Sequence, residues 1–141
     1  MTSRNADLAP CPCGRTDAKG RARAHGQCCG RFLGHFDSTP APDAESLMRS
    51  RYCAFVLRLD GYLLATWHPR TRPIEITFDR SQKWLGLKIL EAKSTGSDAA
   101  EVEFIARYRI GGASAARRHE RSRFVREAGR WFYVDGTMRD S

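Results

Sequence analysis

The hydrophobic pattern of this chain changes period once, at Pro73, and that change restricts the folds open to it. Before Pro73 apolar residues recur at three- and four-residue spacing. Met48, Tyr52, Phe55, Val56 and Leu59 mark one face of a helix that begins at Ala44 and that Asp43 can cap. Asp60-Gly61 interrupts it and can cap a second helix bearing Leu63, Leu64 and Trp67, which Pro69 stops. After Pro73 the pattern alternates. Ile74, Ile76 and Phe78 predict a short strand, and Trp84 to Lys93 a longer one with Leu85, Leu87 and Ile89 on one side. Val102, Phe104, Ala106, Tyr108 and Ile110 then oppose Glu101, Glu103, Arg107 and Arg109 in a half-buried strand ended by Gly111-Gly112. His119 to Glu127 and Trp131 to Asp135 flank Ala128-Gly129-Arg130 as a β-hairpin. Arg117-Arg118 falls in the preceding loop, and Asp135-Gly136 reads as the turn after the last strand. Helices first and antiparallel strands afterwards predict an α+β fold, with the sheet curled over the helices.

The first 36 residues belong to neither pattern. They are turn-rich and poor in aliphatics, so packing alone cannot order them, and a metal is the obvious source of stability. Asp37 to Asp43, with two prolines and small polar residues, reads as a linker, and the domain proper occupies residues 44–141. The length of 141 residues fits one such domain plus an appendage, and a 41% hydrophobic content can fill one core. No apolar run is long enough for a membrane span, and residues 1–10 lack the order of an export signal. A cytoplasmic chain with reduced cysteines is therefore expected.

Four of the five cysteines lie within nineteen residues, in Cys11-Pro12-Cys13-Gly14 and Cys28-Cys29-Gly30, with the fourteen residues 14–27 between the two cysteine pairs. Four thiolates satisfy tetrahedral zinc and leave no open position, so a structural zinc is the leading reading. Disulfides need an oxidising compartment, a redox pair would be Cys-x-x-Cys, and the spacings match neither common iron–sulfur run. His25 can replace one cysteine, although a loop histidine is more often solvated. Cys53, inside the first helix near Tyr52 and Phe55, reads as a small buried hydrophobe.

Cys11-Pro12-Cys13-Gly14 with Cys28-Cys29-Gly30-Arg31-Phe32-Leu33 resembles the SEC-C motif, the zinc knuckle of the preprotein-translocase motor ATPase, which binds an acidic export chaperone and ribosomes. Ser46 to Pro69, Trp84-Leu85-Gly86-Leu87, Glu120 to Phe124 and Trp131 to Gly136 resemble the bacterial YchJ family. Together the two resemblances cover nearly the whole chain. They imply a nuclear transport factor 2-like (cystatin-like) cone, a curved antiparallel sheet wrapped around helices, with an N-terminal SEC-C zinc knuckle over residues 1–36. The loop between the cysteine pairs is longer than is usual for SEC-C, so Arg15 to Ala24 should bulge outward.

Such cones enclose a cavity that hosts enzymes and ligand binders alike, so the fold does not choose between them. The pocket candidates are Tyr52, Tyr62, Trp67 and His68 from the helices and Glu120, Ser122, Tyr133 and Asp135 from the last two strands. The bland readings compete. His68 can donate to free carbonyls at a helix end, and Glu120 can pair with Arg121 or Arg123 on a solvated face. No nucleophile elbow, phosphate loop or dinucleotide fingerprint is present, which lowers the case for an enzyme. The net charge of +8 concentrates in two zones: residues 1–36 hold six Lys or Arg against two acids, and residues 107–130 hold eight Arg against two. The leading reading is an interaction module whose zinc knuckle docks on an acidic protein or ribosomal partner, beside a cone that supplies a pocket or a homodimer face. The rivals are a small cavity enzyme or small-molecule binder, and an RNA-binding accessory protein.

Overall fold

A computed structural model describes residues 7–139. Helix α1 (Ala44–Leu57) starts where expected: Asp43 is extended, and its Oδ1 accepts from Ser46 N at 2.7 Å. Arg58, in the left-handed region at φ 58°, ends it. Helix α2 (Asp60–Ala65) follows at once, with Leu59 as its N-cap and Asp60 as its first residue, so Asp60 does not cap it as predicted. Both faces of α1 carry load. Leu47, Cys53 and Ala54 are sealed on one side, and Met48, Arg51 and Tyr52 are buried on another.

Four strands follow, β1 (Gln82–Gly96), β2 (Ala99–Ile110), β3 (Ala116–Glu127) and β4 (Arg130–Met138), in the antiparallel order β1-β2-β3-β4. Alternation sets the faces. Val102, Phe104 and Ala106 of β2 and Glu120, Ser122 and Phe124 of β3 point inward and are buried. Register shifts at Trp84/Gly86, Ile89/Glu91 and Ser94/Gly96 interrupt β1, and another interrupts β4 opposite Arg123/Phe124. Such irregularities bend strands and increase their twist. Ala128 (φ 53°) and Gly129 (φ 76°) form the two-residue β3–β4 turn between the paired Glu127 and Arg130, with both residues at positive φ.

Three local expectations fail. Residues 74–78 form no strand: the segment after Pro73 runs irregularly, Ile74 is fully exposed, and Phe78 instead packs edge-on against Phe55 at 6.3 Å. Ile76 and Phe78 pack against the core without strand pairing, and Ile74 does not. Arg117 and Arg118 lie within β3, where Arg117 pairs with Arg107 and Arg118 with Ala106. Asp135-Gly136 does not end β4, because Gly136 continues the ladder opposite Ser122.

The helices are fastened to the sheet through backbone. Trp67 bridges to Tyr133, with His68 N donating to Tyr133 O at 2.7 Å and Tyr133 N to Thr66 O at 2.9 Å. One buried cluster runs from Cys11, Cys13, Cys28, Cys29 and Phe32 through α1 to β2 and β3. Segment 37–43 is also held, since Ala41 is buried and Arg130 Nη2 donates to Asp37 O at 2.9 Å. No helix among the described residues is long and apolar enough to cross a membrane.

Candidate metal centre and cavity

Local backbone geometry gathers the N-terminal cysteines. Cys11 N donates to Arg23 O at 2.9 Å and Gly14 N to Cys11 O at 3.1 Å, turning Cys11 and Cys13 back over the same point. Cys28 and Cys29 enter from the short 3₁₀ turn Cys29–Arg31, where Phe32 N donates to Cys29 O at 2.9 Å. Gly30 is needed there, because a Cβ would lie 2.7 Å from His25 O. The expected bulge is an ordered loop: Thr16 bridges to Ala22, and Asp17 Oδ1 accepts from Lys19 N and Arg21 N.

The sulfurs of Cys11, Cys13, Cys28 and Cys29 all lie within 4.8 Å of one another, every one buried and free of disulfides. Such a group can hold a metal ion. The backbone Arg15 N donates to Cys13 Sγ at 3.4 Å, and Arg49 Nη1 donates to Cys13 O at 3.0 Å, placing an amide donor and a guanidinium charge beside sulfurs that become anionic as ligands. The thiols titrate as a unit. Hydrogen bonds from Cys13, Cys29 and Cys53 hold Cys11 well below the ordinary thiol range, while contact with Cys11 and Cys13 pushes Cys29 well above it. Burial, reinforced by charge on Cys13 and Cys11, raises Cys28 to about 11.

Two residues stand closer to this centre than the sequence suggested. Cys53 is buried as expected, but its Sγ lies 3.5 Å from Cys11 Sγ, so it is a fifth thiol of the cluster. Sequence distance from the other four hid it. His25 is buried rather than solvated, with Nδ1 3.3 Å from Cys11 Sγ, and Cys11, His25 and Cys53 form a second candidate ligand group.

On the other side of α1 a cavity of about 770 Å³ opens between helix and sheet. Of the predicted pocket residues, Tyr52, Trp67, Glu120, Ser122 and Tyr133 border it. Three others lie elsewhere. Tyr62 is buried between the helices with its hydroxyl 2.8 Å from Ser50 Oγ. His68 pairs with Glu127 at 2.9 Å through Nε2, and its Nδ1 accepts from Arg70 N, so it neither faces the cavity nor donates to helix-end carbonyls. Asp135 projects from the far face of β4 and accepts from Arg123 Nε at 2.6 Å.

Glu120 is not the solvated ion-pair residue of the bland reading. It is 4% exposed; Ser122 Oγ donates to its Oε2 at 2.7 Å and Tyr133 OH at 3.3 Å, and Arg118 Nη2 donates to its Oε1 at 2.9 Å. Gly136 makes room for that carboxylate, since a Cβ there would meet Glu120 Oε2 at 2.1 Å. Burial raises Tyr133 to about 12, so its phenol stays protonated at neutral pH. Arg121 occupies the opposite face, bound to Glu91, Glu101 and Glu103. The sequence reading missed Arg51, which borders the cavity and is 3% exposed. Its signal was present: Arg51 follows Met48 by three and precedes Phe55 by four, on the apolar face of α1.

Known proteins share both the fold and the sequence of this chain. The family described as "YchJ, middle NTF2-like domain" matches residues 43–136. A UPF0225 protein from Polaromonas sp. is 60% identical over 131 residues, covering 93% of this chain and 94% of the relative. A UPF0225 protein from Xanthomonas campestris is 54% identical over 128 residues, covering 89% and 92%. Among solved structures, a SEC-C motif containing protein from Rhodopseudomonas palustris superposes with a TM-score of 0.78 at 32% identity, covering 94% of this chain and 100% of that one. Another SEC-C motif containing protein, from Psychrobacter arcticus, gives 0.77 at 25% identity, covering 97% and 86%. With its four-stranded antiparallel sheet, its few helices and a domain match over most of its length, the chain belongs to the YchJ (UPF0225) family and carries the nuclear transport factor 2-like domain of that family.

Proposed function

We propose that Cys11, Cys13, Cys28 and Cys29 hold one structural zinc ion, and that the knuckle of residues 1–36 docks the protein on an acidic protein or ribosomal partner in the cytoplasm. The observation that carries this reading is the convergence of four buried thiols from two separate turns. Tetrahedral zinc with bonds of ~2.3 Å has sulfur–sulfur edges of about 3.8 Å, and Cys13 and Cys28 already stand 3.7 Å apart. Four sulfur ligands close the shell, so the ion orders the chain rather than performing chemistry. In this reading 37–43 links the knuckle to the cone of residues 44–141.

The docking half rests on charge. Lys19 and Arg21 are exposed on the ordered loop, and the side-chain nitrogens of Lys19, Arg21 and Arg23 form no salt bridge among the described residues, Asp17 binding only the backbone of the first two. In the second basic zone five of the eight arginines, Arg118, Arg121, Arg123, Arg126 and Arg130, are paired with acids, while Arg107, Arg109 and Arg117 form no salt bridge among the described residues. That pairing weakens the RNA-binding alternative in part. The test is metal analysis after gel filtration, then co-sedimentation with purified ribosomes and with an acidic chaperone. One zinc per chain is expected, with binding lost in a Lys19→Glu, Arg21→Glu, Arg23→Glu variant. Absence of metal, or equal binding by the variant, overturns the reading.

A second reading is supported by the cavity. A space of about 770 Å³ with aromatic walls and a buried carboxylate has the size and lining of a small-molecule site. It is compatible with the first, because metal centre and cavity lie on different sides of α1. Stabilisation by members of a metabolite panel tests it.

A further inference from the structure

The cavity contains a charge that the protein leaves without a counter-ion. Arg51 Nη1 uses its hydrogens on Leu63 O at 2.8 Å and Thr66 Oγ1 at 2.6 Å. Its Nε and Nη2 have no hydrogen-bond partner among the described residues, and no carboxylate stands within 4 Å of the guanidinium. Unlike the indole nitrogen of Trp67, which is both sealed and unpartnered, those two nitrogens are not closed off from solvent. The side chain as a whole is nearly inaccessible yet borders the cavity, so the cavity is where the open edge is reached.

Buried cations in proteins are normally paired, because desolvation is costly without a compensating anion. The ring of Tyr133 at 4.6 Å and that of Trp67 at 5.1 Å stack on the guanidinium and offset part of that cost. They supply no acceptors. Glu120, the one carboxylate that acts on Arg51, is already occupied by Arg118, Ser122 and Tyr133. An Nε–Nη2 edge is the side of a guanidinium that grips a carboxylate through two parallel hydrogen bonds.

The remaining lining defines the rest of a ligand. Phe55, Trp84, Phe104 and Tyr108 provide apolar and aromatic walls, and exposed Arg58, Arg80 and Lys83 sit at the rim with Asp79 as the one acid beside them. Five basic and two acidic side chains border the cavity, so its field favours an anion.

We propose that the cavity binds an organic monocarboxylate with an aryl or alkyl body, its carboxylate on the open edge of Arg51 and its body against the aromatic walls. This rests on the small-molecule reading of the cavity and names the ligand class. It needs neither the metal nor the docking partner.

The test uses the full chain as purified and three probes with one skeleton: 4-phenylbutyrate, 4-phenylbutanamide and 4-phenylbutylamine. Trp67 and Trp84 border the cavity, so intrinsic fluorescence reports occupancy, and calorimetry gives the affinity. The carboxylate should saturate with a Kd below about 1 mM, with the amide and the amine each at least roughly tenfold weaker. In Arg51→Lys, which keeps charge but loses the fork, the acid should weaken by roughly tenfold while the amide is unchanged. A purely structural arginine would lower thermal stability and leave the acid-to-amide ratio as it was. Should that variant not fold, the ligand series on the native protein decides alone. Equal or tighter binding of the amide or amine overturns the anion assignment and leaves the small-molecule reading standing. Silence from all three, and from octanoate, octanamide and octylamine, overturns both.

Discussion

Cys53 Sγ stands 3.5 Å from Cys11 Sγ, which ties the N-terminal turn to the middle of helix α1. The N-terminal turn is therefore built against the domain, and α1 borders the cysteine cluster on one side and the cavity on the other. Four ligands suffice for zinc, so the fifth thiol is a neighbour of the proposed centre.

Cobalt substitution separates ligands from neighbour. Cys29→Ser should lose the intense thiolate-to-metal absorption of a four-sulfur site and fall below one equivalent of metal. Cys53→Ala should keep both spectrum and stoichiometry and lose about 1 kcal/mol of stability, as expected for truncating a small buried side chain. Visible spectroscopy with urea melts reads both; a changed spectrum in Cys53→Ala would make it a ligand.

Gly136→Ala should destabilise the protein by about 1–3 kcal/mol, the usual cost of overpacking. The added methyl would displace the Glu120 carboxylate from Ser122 and Tyr133. In an Glu120→Ala background that cost should largely vanish. A double-mutant cycle by urea denaturation measures the coupling.

Acid should erode the outer face of the sheet first. A hydrogen bond from His119, then one from Arg121, holds Glu103 below the usual carboxylate range, and Arg121 does the same for Glu101. Lowered folded-state values mean that this stabilisation is fully present above the unfolded carboxylate pKa and is lost as pH falls through the folded values. Melting temperature followed from about pH 6 to pH 2 should drop less steeply in Glu103→Gln than in the native protein. High salt should shrink the difference, because both carboxylates are exposed to screening.

Ala128→Asn should stabilise by about 0.5–1 kcal/mol, because asparagine accepts the left-handed geometry that alanine resists and suits the first position of this turn. Ala128 holds φ 53° beside Gly129. Thermal melts check it, and an unchanged melting temperature would mean that the flanking pairs absorb the strain.

Most of the scaffold was legible because burial and period coincide. β2 alternates cleanly, with Val102, Phe104 and Ala106 inside, and Asp43 caps α1 where its sequence position says it should. Legibility ended where two causes leave the same pattern. Ile74, Ile76 and Phe78 alternate, yet Phe78 packs on Phe55 and the segment pairs with no strand. Glu120 and Arg121 are neighbours in sequence, but alternation sends one to the cavity and the other to the acidic cluster outside. Cysteine spacing identified the four-thiol group, with His25 in the loop between its pairs, but only the packing of α1 brings Cys53 beside it. Tyr62, His68 and Asp135 look as suited to a pocket as Tyr52 and Tyr133 do, and only the tertiary arrangement separates them.

The backbone bonds that join Thr66 and His68 to Tyr133 have a consequence for biogenesis. Tyr133 belongs to the strand that leaves the ribosome after the other three, so a nascent chain can assemble α1, α2 and the first hairpins while that side of the hollow still gapes. Until β4 zips onto β3, Arg51 lacks one of its two covering rings, and the hollow is walled on that side only once the last of the four strands has docked.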